Sequence, residues 1–166
     1  MTRARTVANI SSSGTLTSPT ITSPAISNST DTAPILISPE ERVTISATSA
    51  ATTVNFDADT QGVLYYTSNS SANFALNFRG SASTTMASKL AINDSFTGVF
   101  MATNGATAYY ATSIQVDGTT SGVSTKWQGG TAPTSGNTSS IDVYSCTIIR
   151  TASSAYTVLA SQTKFA

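Results

Sequence analysis

Thr52-Thr-Val-Asn-Phe-Asp-Ala-Asp-Thr-Gln-Gly-Val-Leu-Tyr-Tyr-Thr67 decides the fold class. In Thr52–Phe56, Val54 and Phe56 alternate with polar neighbours, the period of a half-buried strand. Val63–Thr67 is a second run of the same length, rich in β-branched and aromatic residues. Asp59-Thr-Gln-Gly62 between them supplies turn residues, because Asp and Gly take up tight backbone conformations at low steric cost. Strand, turn, strand is the unit this stretch predicts.

Working outward, the same grammar repeats. Strands are predicted at Val43–Ala47, Phe74–Phe78, Phe96–Ala102, Ala108–Tyr110, Ser113–Val116, Ile141–Arg150 and Tyr156–Ser161. Turns are predicted at Asn69-Ser-Ser, Asn104-Gly105, Asp117-Gly118 and Gly129-Gly130. Thr84–Leu90 has room for one helical turn, with Met86 and Leu90 facing the core at i and i+4. Strand number and spacing predict an all-β domain, an antiparallel β-sandwich of jelly-roll type.

Composition agrees. Ser and Thr make up about a third of the 166 residues and charged residues 10%, a mixture that favours strands and turns over helices. All six Phe, six Tyr and the single Trp lie at or after Phe56. Each aromatic ring buries about 150–250 Å², so a core is expected over residues 41–166 and not before.

The first 40 residues read differently. Leu16-Thr-Ser-Pro-Thr, Ile21-Thr-Ser-Pro-Ala and Ile26-Ser-Asn-Ser-Thr place one aliphatic side chain every five residues. Pro19 and Pro24 are incompatible with a helix and poor in a central strand, so the segment must be extended. One copy leaves Leu16, Ile21 and Ile26 without a core. Three copies about a common axis would point these residues inward, with Ile35 and Ile37 continuing the row. The expectation is a docking tail at 1–13 carrying Arg3 and Arg5, a stalk or arm at 14–40, and an intertwined homotrimer. A flexible Ser/Thr/Pro linker is the competing reading.

Chemistry is scarce. There is no histidine, which removes the commonest general base and metal ligand. Of the eight carboxylates, Asp57 and Asp59 stand close enough in sequence to share a strand end, where they bind a cation or cap a turn. Cys146 is the only cysteine and reads as a buried strand residue. No phosphate-cradling glycine loop, basic nucleic-acid face, 18-residue apolar run or signal-peptide pattern is found. The chain is therefore expected to be no enzyme and to hold no cofactor or metal. It is expected to bind no nucleic acid and to insert in no membrane. Tyr65-Tyr66, Tyr109-Tyr110 and Trp127 remain as candidates for a subunit interface or a receptor surface. In a strand, each Tyr pair would send one ring inward and one outward.

Four strings carry a family resemblance: Asn55-Phe-Asp-Ala-Asp-Thr-Gln-Gly through Asn73-Phe74, Asn104-Gly-Ala-Thr-Ala-Tyr-Tyr, Lys126-Trp-Gln-Gly-Gly-Thr-Ala-Pro-Thr-Ser-Gly-Asn, and Tyr156-Thr-Val-Leu-Ala-Ser-Gln-Thr-Lys-Phe-Ala. Together they resemble the fibre and virion structural proteins of marine tailed phages over about residues 50–166, and the Thr-Ser-Pro repeat is similar to their stalks. The resemblance implies a trimeric virion component assembled in the host cytoplasm and exposed on the particle. It would contact other virion proteins through its N-terminal segment and contribute to host attachment. The stalk is shorter than in long fibres, which leaves a tail appendage and a capsid decoration or cement protein as alternatives. A module binding host-surface glycan or protein through the tyrosines or Trp127 is a third.

Overall fold

The computed structural model describes residues 40–166. Nine strands form: β1 (Val43–Ser49), β2 (Thr52–Asp57), β3 (Val63–Ser68), β4 (Phe74–Arg79), β5 (Ser95–Thr103), β6 (Ala111–Val116), β7 (Val123–Trp127), β8 (Ile141–Ala152) and β9 (Ala155–Phe165), with a short helix α1 (Met86–Lys89) after β4. The domain is all-β, as the alternation predicts. Two of the strand assignments need correction. Ala108–Tyr110 is loop, with β6 starting only at Ala111, and Val123–Trp127 is a strand whose Ser-Thr-Lys interior conceals it.

The strands make two sheets, ordered β1-β3-β5-β8-β9-β7 (sheet A) and β2-β4-β6 (sheet B). From β1 to β6 the chain changes sheet at every step, so each strand returns beside the one two places earlier. Those pairings, β1 with β3, β2 with β4, β3 with β5 and β4 with β6, are all parallel. The result is three coils of a flattened parallel solenoid. The predicted antiparallel jelly roll is thus overturned for most of the domain. Most of the predicted turns send the chain between layers rather than between ladder neighbours, whereas Gly129-Gly130 lies on the connection from β7 to β8, both in sheet A. Ala50-Ala51 alone joins β1 to β2, and Thr52 leaves that corner at φ 51°.

Antiparallel pairing is confined to the end of sheet A, where β8 pairs with β5 and with β9, and β7 closes the edge parallel to β9. Asp117-Gly118, both at positive φ, close a two-residue turn after β6 with reciprocal Val116 and Thr119 bonds, the I′ pattern.

Between the sheets the side chains interlock. Phe74 from sheet B meets Phe100 and Tyr144 from sheet A edge-on, with centroids 5.6 and 5.8 Å apart. Phe56 lies 5.0 Å from Phe78 and 5.9 Å from Phe96. Gly98 faces this group from β5, and a Cβ there would stand 2.9 Å from both the Phe56 and Phe96 rings. The ring pair occupies the volume that any other residue at 98 would need. Cys146 is fully buried on β8, and burial pushes its thiol up to about 12.

The predicted helical turn forms as α1. Thr85 Oγ1 accepts from Ser88 N–H at 3.2 Å, and Asp117 Oδ1 accepts from Met86 N–H at 2.8 Å. At the other end Arg150 Nη1 donates to the Ala87 and Leu90 carbonyls at 2.7 and 2.6 Å, satisfying carbonyls a helix terminus leaves open. Met86 and Leu90 are both buried.

Candidate interface surfaces

Arg3 and Arg5, and the aliphatic row Leu16, Ile21, Ile26, Ile35 and Ile37, lie outside the described residues, as does the expected stalk at 14–40 up to residue 39. The remaining candidates fall in three different places.

Tyr65 and Tyr66 occupy β3 in sheet A. Tyr66 turns inward and meets Phe100 edge-on at 5.3 Å; burial first, and then the Asp57 charge, raise its hydroxyl pKa. Tyr65 takes the opposite side, half-buried on the outer face between Ile45 of β1 and Met101 of β5. Tyr109 and Tyr110 are not in a strand. Their backbone is held instead, with the Tyr109 carbonyl accepting from Asn104 Nδ2 and Tyr110 N–H donating to Asn73 Oδ1. Trp127 ends β7 on the Ala160 side of the sheet and packs, partly buried, against the core. The five aromatics do not converge on one site.

What does converge is a set of residues of which the sequence reading singles out only Tyr65. The outer face of sheet A carries two rows across its ladder. Val43, Val63 and Val99 are in register in one, and Ile45, Tyr65, Met101 and Val143 in the other. Val43 is 45% exposed and Ile45 67%. The outward positions of β8 and β9 add Ile141, Ile149, Leu159 and Phe165. No charged residue occupies an outward position on β1, β3, β5, β8 or β9; Lys126 does so on the edge strand β7, beside Leu159, and Thr97, Thr147, Ser145, Ser161 and Thr163 stand among the apolar positions of β5, β8 and β9. A signal was present in the sequence. Val63-Leu-Tyr-Tyr66 and Val99-Phe-Met-Ala102 are near-continuous apolar runs, the mark of strands covered on both sides.

The outer face of sheet B is its opposite. Its ladder rows are Thr53, Ala75 and Ser113; then Asn55, Asn77 and Gln115; then Asp57 and Arg79. Asn77 Nδ2 donates to Asn55 Oδ1 at 2.8 Å, and Asn77 Oδ1 accepts from Gly118 N–H at 2.8 Å. Arg79 Nε lies 2.6 Å from Asp57 Oδ1, and Lys89 Nζ 3.0 Å from Asp59 Oδ1. Asp57 and Asp59 are thus each matched to a separate cation. Among the described residues no group of acidic or thiol side chains converges as a metal site would.

A buried polar cluster fixes the foot of the β8–β9 hairpin. Asp142 is fully buried, and its Oδ2 accepts from Asn104 Nδ2, Asn137 N–H and Gln162 Nε2 at 3.0–3.1 Å. Gln162 Nε2 also reaches Tyr144 Oη at 3.1 Å, which accepts from Ala111 N–H at 3.0 Å. Gly136 lies so close that a Cβ would stand 2.7 Å from Asn104 Nδ2 and from Asp142 Oδ2. Asp142 Oδ1 and Asn104 Oδ1 are buried with no donor among the described residues. Burial raises the Asp142 pKa, opposed by its three hydrogen bonds and by Lys164. The cluster joins residues 38 positions apart, and no local pattern announces it.

Beside it, Tyr65, Asn69, Thr103, Asn104, Ser139 and Ser140 line an open cleft of about 550 Å³. No described helix is long and apolar enough to cross a membrane. A comparison of the chain with protein-family models, curated proteins and solved structures returns no match.

Proposed function

We propose that the chain is a non-enzymatic structural protein of a phage virion, a short homotrimeric appendage on the tail or particle surface. The observation that carries this reading is the asymmetry of the two outer faces. An outer face whose five contiguous strands β1, β3, β5, β8 and β9 carry no outward charge and share two apolar rows suits a self-assembling part, with Lys126 standing only on the edge strand β7; monomeric proteins keep apolar patches small. The aliphatic row from Leu16 to Ile37, which has no core of its own in sequence, supports the same reading. So does the resemblance of residues 50–166 to virion proteins of marine tailed phages.

In this reading residues 1–13 dock to the particle and the solenoid is presented outward, contributing to host attachment. Mass photometry of the full chain tests self-assembly: a trimer is expected, and a folded monomer at micromolar concentration overturns it. Cryo-EM of the intact particle tests location, since tens of copies or fewer indicate a tail and hundreds indicate capsid decoration.

A further inference from the structure

We infer that the outer face of sheet A is the surface through which copies of this chain pack against one another, with Tyr65, Val99 and Met101 at its centre. The inference deepens the self-assembling reading above and rests on it.

Size is the first argument. Five strands at about 4.8 Å spacing, with the longer ones running roughly 30 Å, give a face of roughly 600 Å² in flat projection. Its corrugated accessible area is larger, close to the ~800 Å² per partner of a stable interface.

Electrostatics is the second. Residues on the symmetry axis of an assembly meet their own copies, and interface cores are depleted of charge, so a homotypic interface works best without charge at its centre. The outward positions of β1, β3, β5, β8 and β9 meet that condition, and those of sheet B do not: Asp57 and Arg79 stand on its ladder.

Sequence pattern is the third. Strands β2 (Thr-Thr-Val-Asn-Phe-Asp) and β6 (Ala-Thr-Ser-Ile-Gln-Val) alternate, as strands with one wet side do. Strands β3 (Val-Leu-Tyr-Tyr-Thr-Ser) and β5 (Ser-Phe-Thr-Gly-Val-Phe-Met-Ala-Thr) carry apolar side chains on both sides. One side of each faces the Phe100–Tyr144 core. The other is the face in question.

Continuity along the chain selects a second copy as the occupant over an unrelated partner. The aliphatic residues Ile35 and Ile37 lead in sequence directly to Val43 and Ile45 at the edge of this face. In sequence, the row expected to assemble copies therefore leads into the strand that edges the apolar sheet.

The test uses the full chain. Wild type is compared by mass photometry with Tyr65→Asp and Val99→Asp on sheet A and with Gln115→Asp on sheet B, and folding is checked by circular dichroism. Tyr65→Asp and Val99→Asp are expected to weaken assembly on the order of 100-fold, because each buries an unpaired charge. Gln115→Asp should leave it unchanged. Met101→Cys is a second route, gentle on the fold: a short bis-maleimide should join copies through it and not through Gln115→Cys, while buried Cys146 stays silent. Folded Asp variants that keep the wild-type mass, or an assembled Met101→Cys sample that does not cross-link, overturn this face as the interface and leave self-assembly standing. A wild type that is monomeric overturns both.

Discussion

The two outer faces cover one interior and are built on neighbouring ladders of the same chain, yet they have opposite chemistry. Sheet B presents Thr53, Asn55, Asp57, Arg79, Ser113 and Gln115; sheet A presents Val43, Ile45, Val63, Tyr65, Val99, Met101 and Val143. The fully buried Phe56, Phe74, Phe100 and Tyr144 point between the sheets, away from both exteriors. A sheet's inner residues therefore report on folding, and its outer residues on what the sheet meets. Point changes can pull these two roles apart.

The largest effect is expected where the faces share a foundation. Phe100→Ala removes a fully buried ring that touches Phe74, Tyr66 and Tyr144, and should cost about 3–5 kcal/mol in chemical denaturation. Next comes the polar face. Asn77→Ala leaves Gly118 N–H and Asn55 Oδ1 without their partner, and should cost about 1–3 kcal/mol with no change in assembly. If the same variant lost assembly, the contrast between the faces would collapse.

A smaller effect should follow pH. With a folded-state pKa above the ordinary 3.8, the Asp142 carboxyl binds its proton more tightly folded than unfolded. It costs nothing below 3.8; as pH rises past that value the unfolded chain ionises first, and stability falls until the folded carboxyl has ionised too. Asp142→Asn keeps an acceptor for the three donors and has no charge to bury. Its melting temperature relative to wild type should therefore rise with pH above about 4 and then level off; a flat difference would contradict the assignment. Smallest in folding terms is Val99→Thr on sheet A, expected to stay within about 1 kcal/mol for the isolated fold. Its signature is instead a weaker dependence of melting temperature on protein concentration than wild type shows.

Strand positions were legible because period-two alternation is local: Thr52–Phe56 and Phe74–Phe78 can be read without knowing their neighbours. Ladder direction was not legible, because it depends on where β3 goes after leaving β2, and an Asp59–Gly62 corner looks alike whether it returns along the same sheet or crosses to the other. Val123–Trp127 is hard to see because polar Thr125 takes the middle inward position of its alternation. At the candidate surface, Tyr65 is visible in the sequence as an aromatic, whereas nothing local tells whether Val63, Val99 and Met101 point inward or outward, which only the register assigns. The Asn104–Asp142 cluster had no sequence signature, because its parts meet only through the long connection between β5 and β8.

The parallel ladders have one more consequence. Among the described residues, both sheets finish at the β1–β2 end with the same strand polarity and spacing that they use inside, while the other end of sheet A is interrupted by the reversed β8–β9 hairpin. A duplicated strand pair spliced in ahead of β1 would find a ladder of matching direction in each sheet, whereas one placed beyond β6 would have to displace the hairpin. The architecture thus has a direction of growth, and lineages or designers that lengthen it have one permissive end at which to do so.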